Sequence, residues 1–247
     1  MEKREEKETG KIRLSLIIPM YNEESILPDT LLAVHSYMQE KFGTGYEVLY
    51  VDDGSTDRSA EIVAQATYPH TRVLRNKENH GKGFVVRQGM LAASGEICIF
   101  TDCDLAYGTG VIGQMAALFE ENPATDVFIG SRDKHPEGYA GYSFTRRLAS
   151  RVYRTLLRLF YGLKLSDSQS GIKGFRREAA QKIFSRAETN GFAFDFEAIL
   201  IGERLGLRFG EMPAKVIGNR PGHVRLLRDS FRMLRELRRI RRRVKKG

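Results

Sequence analysis

The 247-residue chain has no tryptophan and only two cysteines, Cys98 and Cys103. Both cysteines lie on or beside one apolar segment, so a structural disulfide is not expected and a reducing compartment is the default. No Cys/His cluster has the spacing of a zinc site. These shortages exclude a small disulfide-stapled scaffold and a structural zinc module as fold classes.

Long hydrophobic runs are also missing from the chain. No stretch approaches the roughly 18 apolar residues that a membrane-spanning helix needs. Residues 1–10 are mostly charged and contain no apolar core of a secretory signal, so they predict a short disordered lead-in. With 41% hydrophobic and 29% charged residues, the chain as a whole has the composition of a globular domain.

Positive charge is concentrated at the C-terminus. Residues 219–247 contain twelve arginines or lysines and two acidic residues, whereas the whole chain has a net charge of +9. Apolar residues recur among these arginines at helical spacing, which predicts a basic amphipathic helix over 220–247. Residues 143–164 show the same pattern and predict a second such helix.

The two basic amphipathic segments allow three interpretations. Their apolar sides pack on the domain, or their arginines bind nucleic acid, or both segments lie in a membrane interface with the arginines on anionic headgroups. Nucleic-acid binding is not expected because the sequence shows no known nucleic-acid-binding module. We favour the third interpretation, which predicts a protein that is peripheral on the cytoplasmic face of a membrane.

Short apolar runs alternate with segments of helical periodicity between residues 14 and 129, which predicts β-α-β units and a mainly parallel sheet. The predicted strands cover residues 14–18, 47–51, 72–74, 97–101 and 126–129. Helices are predicted near 25–40, around Ile62 and Val63, from Gly83 to about Ala93, and over 111–120, 177–184 and 194–205. A polar loop is predicted over 167–175, and one or two short strands over 208–216. The folded α/β domain then spans residues 11–219.

Carboxylates follow two of the predicted strands. Asp102 and Asp104 come directly after the fourth strand and can converge on one hard cation such as Mg²⁺ or Mn²⁺. A D-x-D pair alone is also common turn chemistry. Asp52 and Asp53, however, end the second strand, and the carboxyl ends of strands in such sheets form nucleotide sites. The sequence therefore predicts a nucleotide and metal site at this edge.

Other residues at the same edge are candidates for nucleoside contacts. Tyr21 offers a ring to stack on a base, and Glu23 can accept hydrogen bonds from ribose hydroxyls. The alternative is a helix start with acidic residues in its first turn. Asp53 likewise either binds the nucleoside or forms the turn before Gly54.

Two cationic residues are candidates for phosphate contacts. Lys82 lies between two glycines at a predicted helix start, where a phosphate is favoured. The segment lacks the Walker pattern, which disfavours a P-loop NTPase. Arg132 follows the fifth strand and could clamp a diphosphate bidentately, the alternative being an ordinary surface arginine.

Asp195 and Glu197 are set among phenylalanines. Apolar surroundings raise carboxylate pKa values and often mark functional sites. A capped helix start is the alternative interpretation.

Taken together and in order, these motifs resemble the family 2 glycosyltransferases of the GT-A fold. The resemblance rests on residues 16–23, 51–57, 81–83, 102–104 and 130–132. Residues 167–175 and 194–197 are similar to two motifs of polyprenyl-phosphate glycosyltransferases, and the dolichyl-phosphate glucosyltransferase branch is the most similar. The resemblance spans about residues 14–238. It implies a Rossmann-like nucleotide-binding mixed sheet flanked by helices, and a catalytic role for the domain.

The resemblance also implies roles for individual residues. The nucleotide-sugar site would comprise Pro19, Tyr21, Glu23, Val51, Asp53, Lys82, Asp102, Cys103, Asp104 and Arg132, with Asp102 and Asp104 holding Mg²⁺ or Mn²⁺ on the donor diphosphate. Catalytic residues would be Asp104, Arg132, Asp195 and Glu197. The acceptor would meet Asp167, Gln169 and Lys173, and Arg220 and His223 are candidates for its phosphate.

The resemblance predicts inverting transfer of one sugar from a nucleotide sugar to a polyprenyl or dolichyl phosphate. Mannosyltransferase relatives often carry Gln where this chain has Ala106, which weakens a GDP-mannose assignment. The similarity to the glucosyltransferase branch favours UDP-glucose as the donor. The absence of tryptophan removes a signature of processive polysaccharide synthases. A GDP-mannose or UDP-GlcNAc donor, a non-lipid acceptor, and a non-catalytic nucleotide-sugar sensor are the alternatives.

Overall fold

A computed structural model describes residues 12–139, 155, 165–218 and 236–244 of the chain. Its strands are β1 (Leu14–Met20), β2 (Tyr46–Asp52), β3 (Thr71–Arg75), β4 (Ile97–Thr101), β5 (Val127–Ser131), β6 (Ile172–Arg176) and β7 (Phe209–Pro213). Its helices are α1 (Leu27–Phe42), α2 (Ser59–Gln65), α3 (Lys82–Ala92), α4 (Gly110–Glu121), α5 (Arg177–Phe184), α6 (Phe194–Arg204) and α7 (236–244).

The strands form one mixed sheet in the order β3-β2-β1-β4-β6-β5-β7. β1 pairs in parallel with β2 and β4, and β2 pairs in parallel with β3. β1 and β2 are buried along their whole length because helices cover both faces of the sheet, as parallel strands require. The carboxyl ends of β1, β2 and β4 therefore meet at one edge.

Side chains alternate between two hydrophobic cores. Leu16 and Ile18 point to the core shared with α1 and α4, whereas Ile17 points to the core shared with α3, α5 and α6. Helix α3 lies close to the sheet at Gly89, where a Cβ would come within 2.5 Å of the Ile17 side chain. This close approach holds the second half of α3 against β1 and β2.

The predicted α/β sheet with helices on both faces is confirmed, but the second half departs from the predicted elements. The sequence predicts a polar loop over 167–175, whereas Ile172–Arg176 forms β6, antiparallel to both β4 and β5. The strand escapes prediction because Lys173 and Gly174 interrupt any apolar run. Residues 208–216 contain one strand, β7, which pairs in parallel with β5.

The basic amphipathic segments lie largely outside the described residues, apart from Thr155 and helix α7. In α7 the apolar residues Leu237 and Ile240 are buried in the core beside α3, α5 and α6. Residues 236–244 are helical, and the apolar side of this helix packs on the domain and is not available to a membrane. Within the part of the chain that the structure describes, no helix has the length and apolar character to cross a membrane.

Candidate active site

The loops after β1 and β2 are tied to each other at the carboxyl edge. Asn22 has a positive φ of 55° and accepts through Oδ1 from the Thr56 amide at 2.9 Å. Ser55 donates from its amide to Asp52 at 3.2 Å, and its hydroxyl accepts from the Asn22 amide at 2.9 Å. These contacts hold Tyr21, which is 44% exposed, at the rim of the edge.

The residues predicted to contact a nucleoside lie around this rim. Pro19 of β1 is in register with Val51 of β2, and both lie at the carboxyl ends of their strands. The Glu23 amide donates a hydrogen bond to the Ser59 hydroxyl oxygen at 2.8 Å, which fixes the position of the Glu23 backbone. The structure thus brings the predicted nucleoside residues together, and their contacts with a nucleoside stay a prediction.

Asp53 organises the loop that leads into α3. Its Oδ1 accepts from the His80 amide at 2.8 Å, and its Oδ2 accepts from the Gly81 amide at 2.9 Å. Next to it Gly54 has a φ of 73°, and a Cβ there would lie 2.5 Å from the backbone of Glu78. Asp53 therefore fixes the start of α3, in addition to its predicted nucleoside contact.

Lys82 lies beside the D-x-D pair, Asp102 and Asp104, at the end of β4. The Lys82 ammonium lies 2.5 Å from Asp102 Oδ1, although Lys82 and Asp102 follow different strands. Burial would lower the pKa of Lys82, but the charges of Asp102 and then Asp195 outweigh burial and raise it. Lys82 is therefore a fully charged ammonium beside the two carboxylates.

The carboxylates Asp102 and Asp104 fit a divalent cation. Asp104 is exposed, and its Oδ1 accepts from the Ala106 amide at 3.1 Å. Asp102 Oδ2 lies against Gly171, where a Cβ would come within 2.3 Å of it. No group of three or more metal-binding side chains occurs among the described residues. Two carboxylates suit Mg²⁺ or Mn²⁺, which take their other ligands from water and substrate phosphates.

Cys103, between the two aspartates, is buried and turned into the core beside α1. Its carbonyl accepts from the Thr30 hydroxyl at 2.8 Å, and burial raises the pKa of its thiol to about 12. The predicted contact of Cys103 with a nucleotide sugar is therefore restricted to its backbone.

Arg132, at the end of β5, is paired with Asp167. Its Nε and Nη2 donate to the two carboxylate oxygens at 2.6 Å and 2.7 Å, and its amide adds a contact of 3.1 Å. Burial disfavours the charge of Asp167, but the Arg132 contacts outweigh burial and hold the pKa of Asp167 below its usual range. Two of the five N–H donors of the Arg132 guanidinium thus form hydrogen bonds to Asp167. A phosphate contact by Arg132 stays a prediction.

Lys173 and Asp195 form a second buried pair. Lys173 is 1% exposed and donates to Asp195 Oδ1 at 2.7 Å and to the Ser170 carbonyl at 2.6 Å. Burial raises the pKa of Asp195 despite the opposing charges of Lys173 and Lys82. Asp167, Lys173 and Asp195 are among the residues predicted to border the sugar and acceptor pocket. Gln169, predicted to contact the acceptor, is half-buried.

Glu197 is fully buried and surrounded by donors. It accepts from the Glu188 and Thr189 amides at 3.0 Å and 2.7 Å, and from the Arg243 guanidinium. These contacts make Glu197 an anchor between loop and helix, so its catalytic role stays a prediction. Arg220 and His223 lie outside the described residues.

Three residues that shape the site have no role in the predicted site. Asn22 ties two loops, Asn190 holds the start of α3, and Arg243 neutralises Glu197. Asn22 lies within residues 16–23, which carry part of the family resemblance and could have pointed to it. Asn190 and Arg243 carry no local signal, because their partners are far apart in the sequence.

The sequence of the chain is similar to a known protein family and to proteins of named activity. Residues 15–184 match the family described as Glycosyl transferase family 2. The chain is 30% identical over 254 residues to a dolichyl-phosphate beta-glucosyltransferase of Saccharomyces cerevisiae, covering 94% of this chain and 75% of that protein. It is 32% identical over 224 residues to the dolichyl-phosphate beta-glucosyltransferase of Drosophila melanogaster, covering 84% and 68%.

Solved structures share the fold. Glucosyl-3-phosphoglycerate synthase from Mycobacterium tuberculosis, in complex with Mn²⁺, UDP and glucosyl-3-phosphoglycerate, superposes with a TM-score of 0.68 at 20% identity, covering 92% of this chain and 78% of that one. Mannosyl-3-phosphoglycerate synthase from Rubrobacter xylanophilus gives 0.68 at 21% identity, covering 95% and 74%. The sheet, its carboxyl-edge site and the match over residues 15–184 agree: the chain belongs to glycosyl transferase family 2.

Proposed function

We propose that this protein transfers one glucose from UDP-glucose to a polyprenyl phosphate such as dolichyl phosphate, with inversion at the sugar carbon. The observation that carries the proposal is the cluster of Lys82, Asp102 and Asp104 at the end of β4. Support for the donor and acceptor comes from the two dolichyl-phosphate beta-glucosyltransferases to which the chain is similar over most of its length.

The leaving diphosphate is the charge that this cluster would neutralise. Asp102 and Asp104 would hold Mg²⁺ or Mn²⁺, which supplies Lewis-acid stabilisation of the leaving phosphate oxygens. Lys82 adds a fixed positive charge beside them, oriented by its contact with Asp102. Arg132 adds a further cation at the end of β5, oriented by Asp167.

The acceptor phosphate oxygen attacks C1 of the glucose while the nucleoside diphosphate departs. This oxygen is already ionised near neutral pH, so the chain needs no strong general base. Catalysis then depends on positioning and on electrostatic stabilisation of the leaving group. Asp195, held by Lys173, contributes to the shape and charge of the pocket.

The acceptor lipid places the reaction at a membrane surface. A polyprenyl phosphate carries its phosphate at headgroup level, where arginines attract anionic lipids. The chain has its surplus of positive charge in residues 219–247, which supports peripheral binding to the cytoplasmic face. For α7 this binding would use exposed arginines, because Leu237 and Ile240 are buried.

The test is a donor and acceptor panel. Purified protein is incubated with Mn²⁺ or Mg²⁺, polyprenyl phosphate and each of UDP-glucose, UDP-GlcNAc and GDP-mannose, and release of nucleoside diphosphate is measured. Lipid-dependent release from UDP-glucose alone is the expected result. Release from another donor would replace the sugar assignment, and release without lipid dependence would point to a non-lipid acceptor. Tight binding of nucleotide sugars without release from any donor would favour a sensor.

Substitution Asp104→Asn tests the metal assignment. We expect turnover to fall about 10²- to 10³-fold, the scale seen when one group that stabilises transition-state charge is removed. Glu121→Gln, which alters an exposed acid at the end of α4, is the matched control and should leave turnover unchanged. Near-normal metal-dependent turnover in Asp104→Asn would refute the assignment.

A further inference from the structure

Helix α7 is fixed to the domain by apolar and polar contacts. Leu237 and Ile240 are buried in the same core as Phe194 at the start of α6. Arg204, in the last turn of α6, donates to the carbonyl of Val244. The described part of the basic tail is therefore an integral element of the fold.

Arg243 of α7 reaches the most buried carboxylate in this region. Its Nη2 donates to Glu197, which is fully buried, and to the Thr189 hydroxyl at 3.0 Å. Its Nη1 lies 3.1 Å from Glu188. A buried carboxylate without a counter-charge is strongly destabilised, so the contact with Arg243 compensates the charge of Glu197 and holds its side chain in place.

Glu197 in turn holds residues 187–191, which we call the α5–α6 loop. The amides of Glu188 and Thr189 both donate to Glu197 Oε2, at 3.0 Å and 2.7 Å. Two charge-assisted hydrogen bonds to one oxygen give the loop a defined position. Arg243 and Glu197 thus act on this loop as a unit.

The α5–α6 loop is packed directly on the start of α3. The Asn190 carbonyl accepts from the Gly83 amide at 2.7 Å and from the Phe84 amide at 3.3 Å. A Cβ at Gly83 would lie 2.3 Å from the Thr189 carbonyl oxygen, so backbone touches backbone here. Arg87 adds a contact of 3.0 Å to the Ala187 carbonyl. Movement of the loop therefore has to move the first turn of α3.

The first turn of α3 presents the cation of the donor site. The Gly81 amide donates to Asp53, and the next residue, Lys82, reaches Asp102 at 2.5 Å. Misplacement of a catalytic group by about 1 Å can cost a large factor in rate. The position of Lys82 thus depends on Asp53 from one side and on the α5–α6 loop from the other.

We infer that Arg243 is a positioning residue for the donor site, acting through Glu197 and the α5–α6 loop on the first turn of α3 and on Lys82. The inference rests on the proposed function, in that Lys82 meets the phosphates of a nucleotide donor. Through Arg243, the basic tail would then have a role inside the catalytic domain that is separate from any contact with a membrane.

The experiment compares Arg243→Met with Arg242→Met, which removes the same charge from an exposed neighbour on the same helix. Binding of UDP with Mn²⁺ is measured by calorimetry without membranes, and amide hydrogen exchange is measured over residues 80–86. In Arg243→Met we expect UDP affinity to fall about tenfold, the lower end of the loss when a supporting contact around a metal site is removed. Exchange at Gly83 and Phe84 should accelerate. Arg242→Met should match the wild type in both measurements.

Two further variants keep the test valid if Arg243→Met folds poorly. Arg243→Lys retains the charge and should restore part of the affinity. The double variant Arg243→Met/Glu197→Gln removes both charges. The side-chain amide oxygen introduced at position 197 can still accept hydrogen bonds from the α5–α6 loop. Amide exchange at Gly83 should therefore be as slow as in the wild type. Equal affinity and exchange in wild type, Arg243→Met and the double variant would overturn the inference.

The readouts separate this inference from the proposed function. UDP binding and amide exchange do not require glucose transfer or a lipid acceptor. If the wild type binds UDP with Mn²⁺ but transfers no glucose, the proposed reaction fails while Arg243 is still tested. If the wild type transfers glucose and the Arg243 variants bind UDP with unchanged affinity and exchange, the inference fails while the reaction stands.

Discussion

The two halves of the sheet hold many of their carboxylates by different means, although the first half also contains the ion pairs Lys82–Asp102, Arg72–Glu47 and Arg75–Asp52. In the first half, from β1 to β4, the acids that shape loops accept from nearby backbone amides and hydroxyls, as in Asp52, Asp53 and Asp57. In the second half, from β5 to α6, buried acids pair with cations on distant elements, as in Asp167 with Arg132, Asp195 with Lys173 and Glu197 with Arg243. The first arrangement shapes individual loops, whereas the second joins separate elements.

This difference has consequences for energetics. Losing a capping side chain costs about 1 kcal/mol, whereas removing one partner of a buried ion pair costs about 3–5 kcal/mol because the remaining charge has no compensation. The second half, from β5 to α6, should therefore be the more sensitive of the two to single substitutions. Variants in each half can test this expectation.

The largest effect on stability is expected for Lys173→Met. Lys173 is 1% exposed, and its removal leaves the buried Asp195 without its nearest cation. We expect the free energy of unfolding to fall by about 3–5 kcal/mol, measured by urea denaturation. Lys182→Met, at an exposed position of α5, is the control and should change stability by less than about 0.5 kcal/mol.

A double variant, Lys173→Met/Asp195→Leu, sharpens this prediction. Replacing both charges by apolar side chains leaves no unpaired ion, so stability should recover relative to Lys173→Met. If Lys173→Met is as stable as the control variant, the pair contributes little and the contrast between the two halves disappears.

An intermediate effect is expected in the pH dependence of stability. The folded-state pKa of Asp167 lies below its usual value, so Asp167 adds stability above about pH 4, which is lost as the pH falls towards the folded pKa. The folded-state pKa of Asp195 is raised instead. Asp195 therefore lowers stability as the pH rises from about pH 4 to its folded pKa.

Substituting each acid should change the slope of stability against pH in opposite directions. Urea midpoints measured between about pH 3 and pH 5 should fall less steeply on acidification in Asp167→Asn than in the wild type. They should fall more steeply in Asp195→Asn, which loses the opposing contribution. Parallel slopes in all three proteins would contradict the assigned shifts.

The same contrast explains what the sequence allows one to predict. The first half is predictable because apolar runs such as 16–18 mark strands, and because each motif directly follows a strand. The placement of Lys82 beside Asp102 is a consequence of parallel strands meeting at one edge. The fold class and the location of the candidate site therefore come from local patterns.

The second half is less predictable because its defining contacts join residues distant in sequence. Lys173 lies in β6 as a buried cation, and only its pairing with Asp195, 22 residues later, makes that burial tolerable. A segment with a lysine and two glycines has no strand periodicity, so it resembles a loop. Arg243 meets Glu197 across 46 residues, and no pattern within α7 distinguishes it from its exposed neighbours.

The smallest effect is expected for Asp57→Ala in the first half. Asp57 Oδ1 accepts from the Ser59 amide at 3.0 Å, and its Oδ2 accepts from the Glu24 amide at 3.1 Å. Loss of such a local acceptor should lower the free energy of unfolding by about 1 kcal/mol, because water can replace it at this partly exposed position. Asp57→Asn keeps one acceptor oxygen and should cost less. If Asp57→Ala destabilised the protein as much as Lys173→Met, the backbone-held acids would matter as much as the buried ion pairs, and the division between the two halves would be wrong.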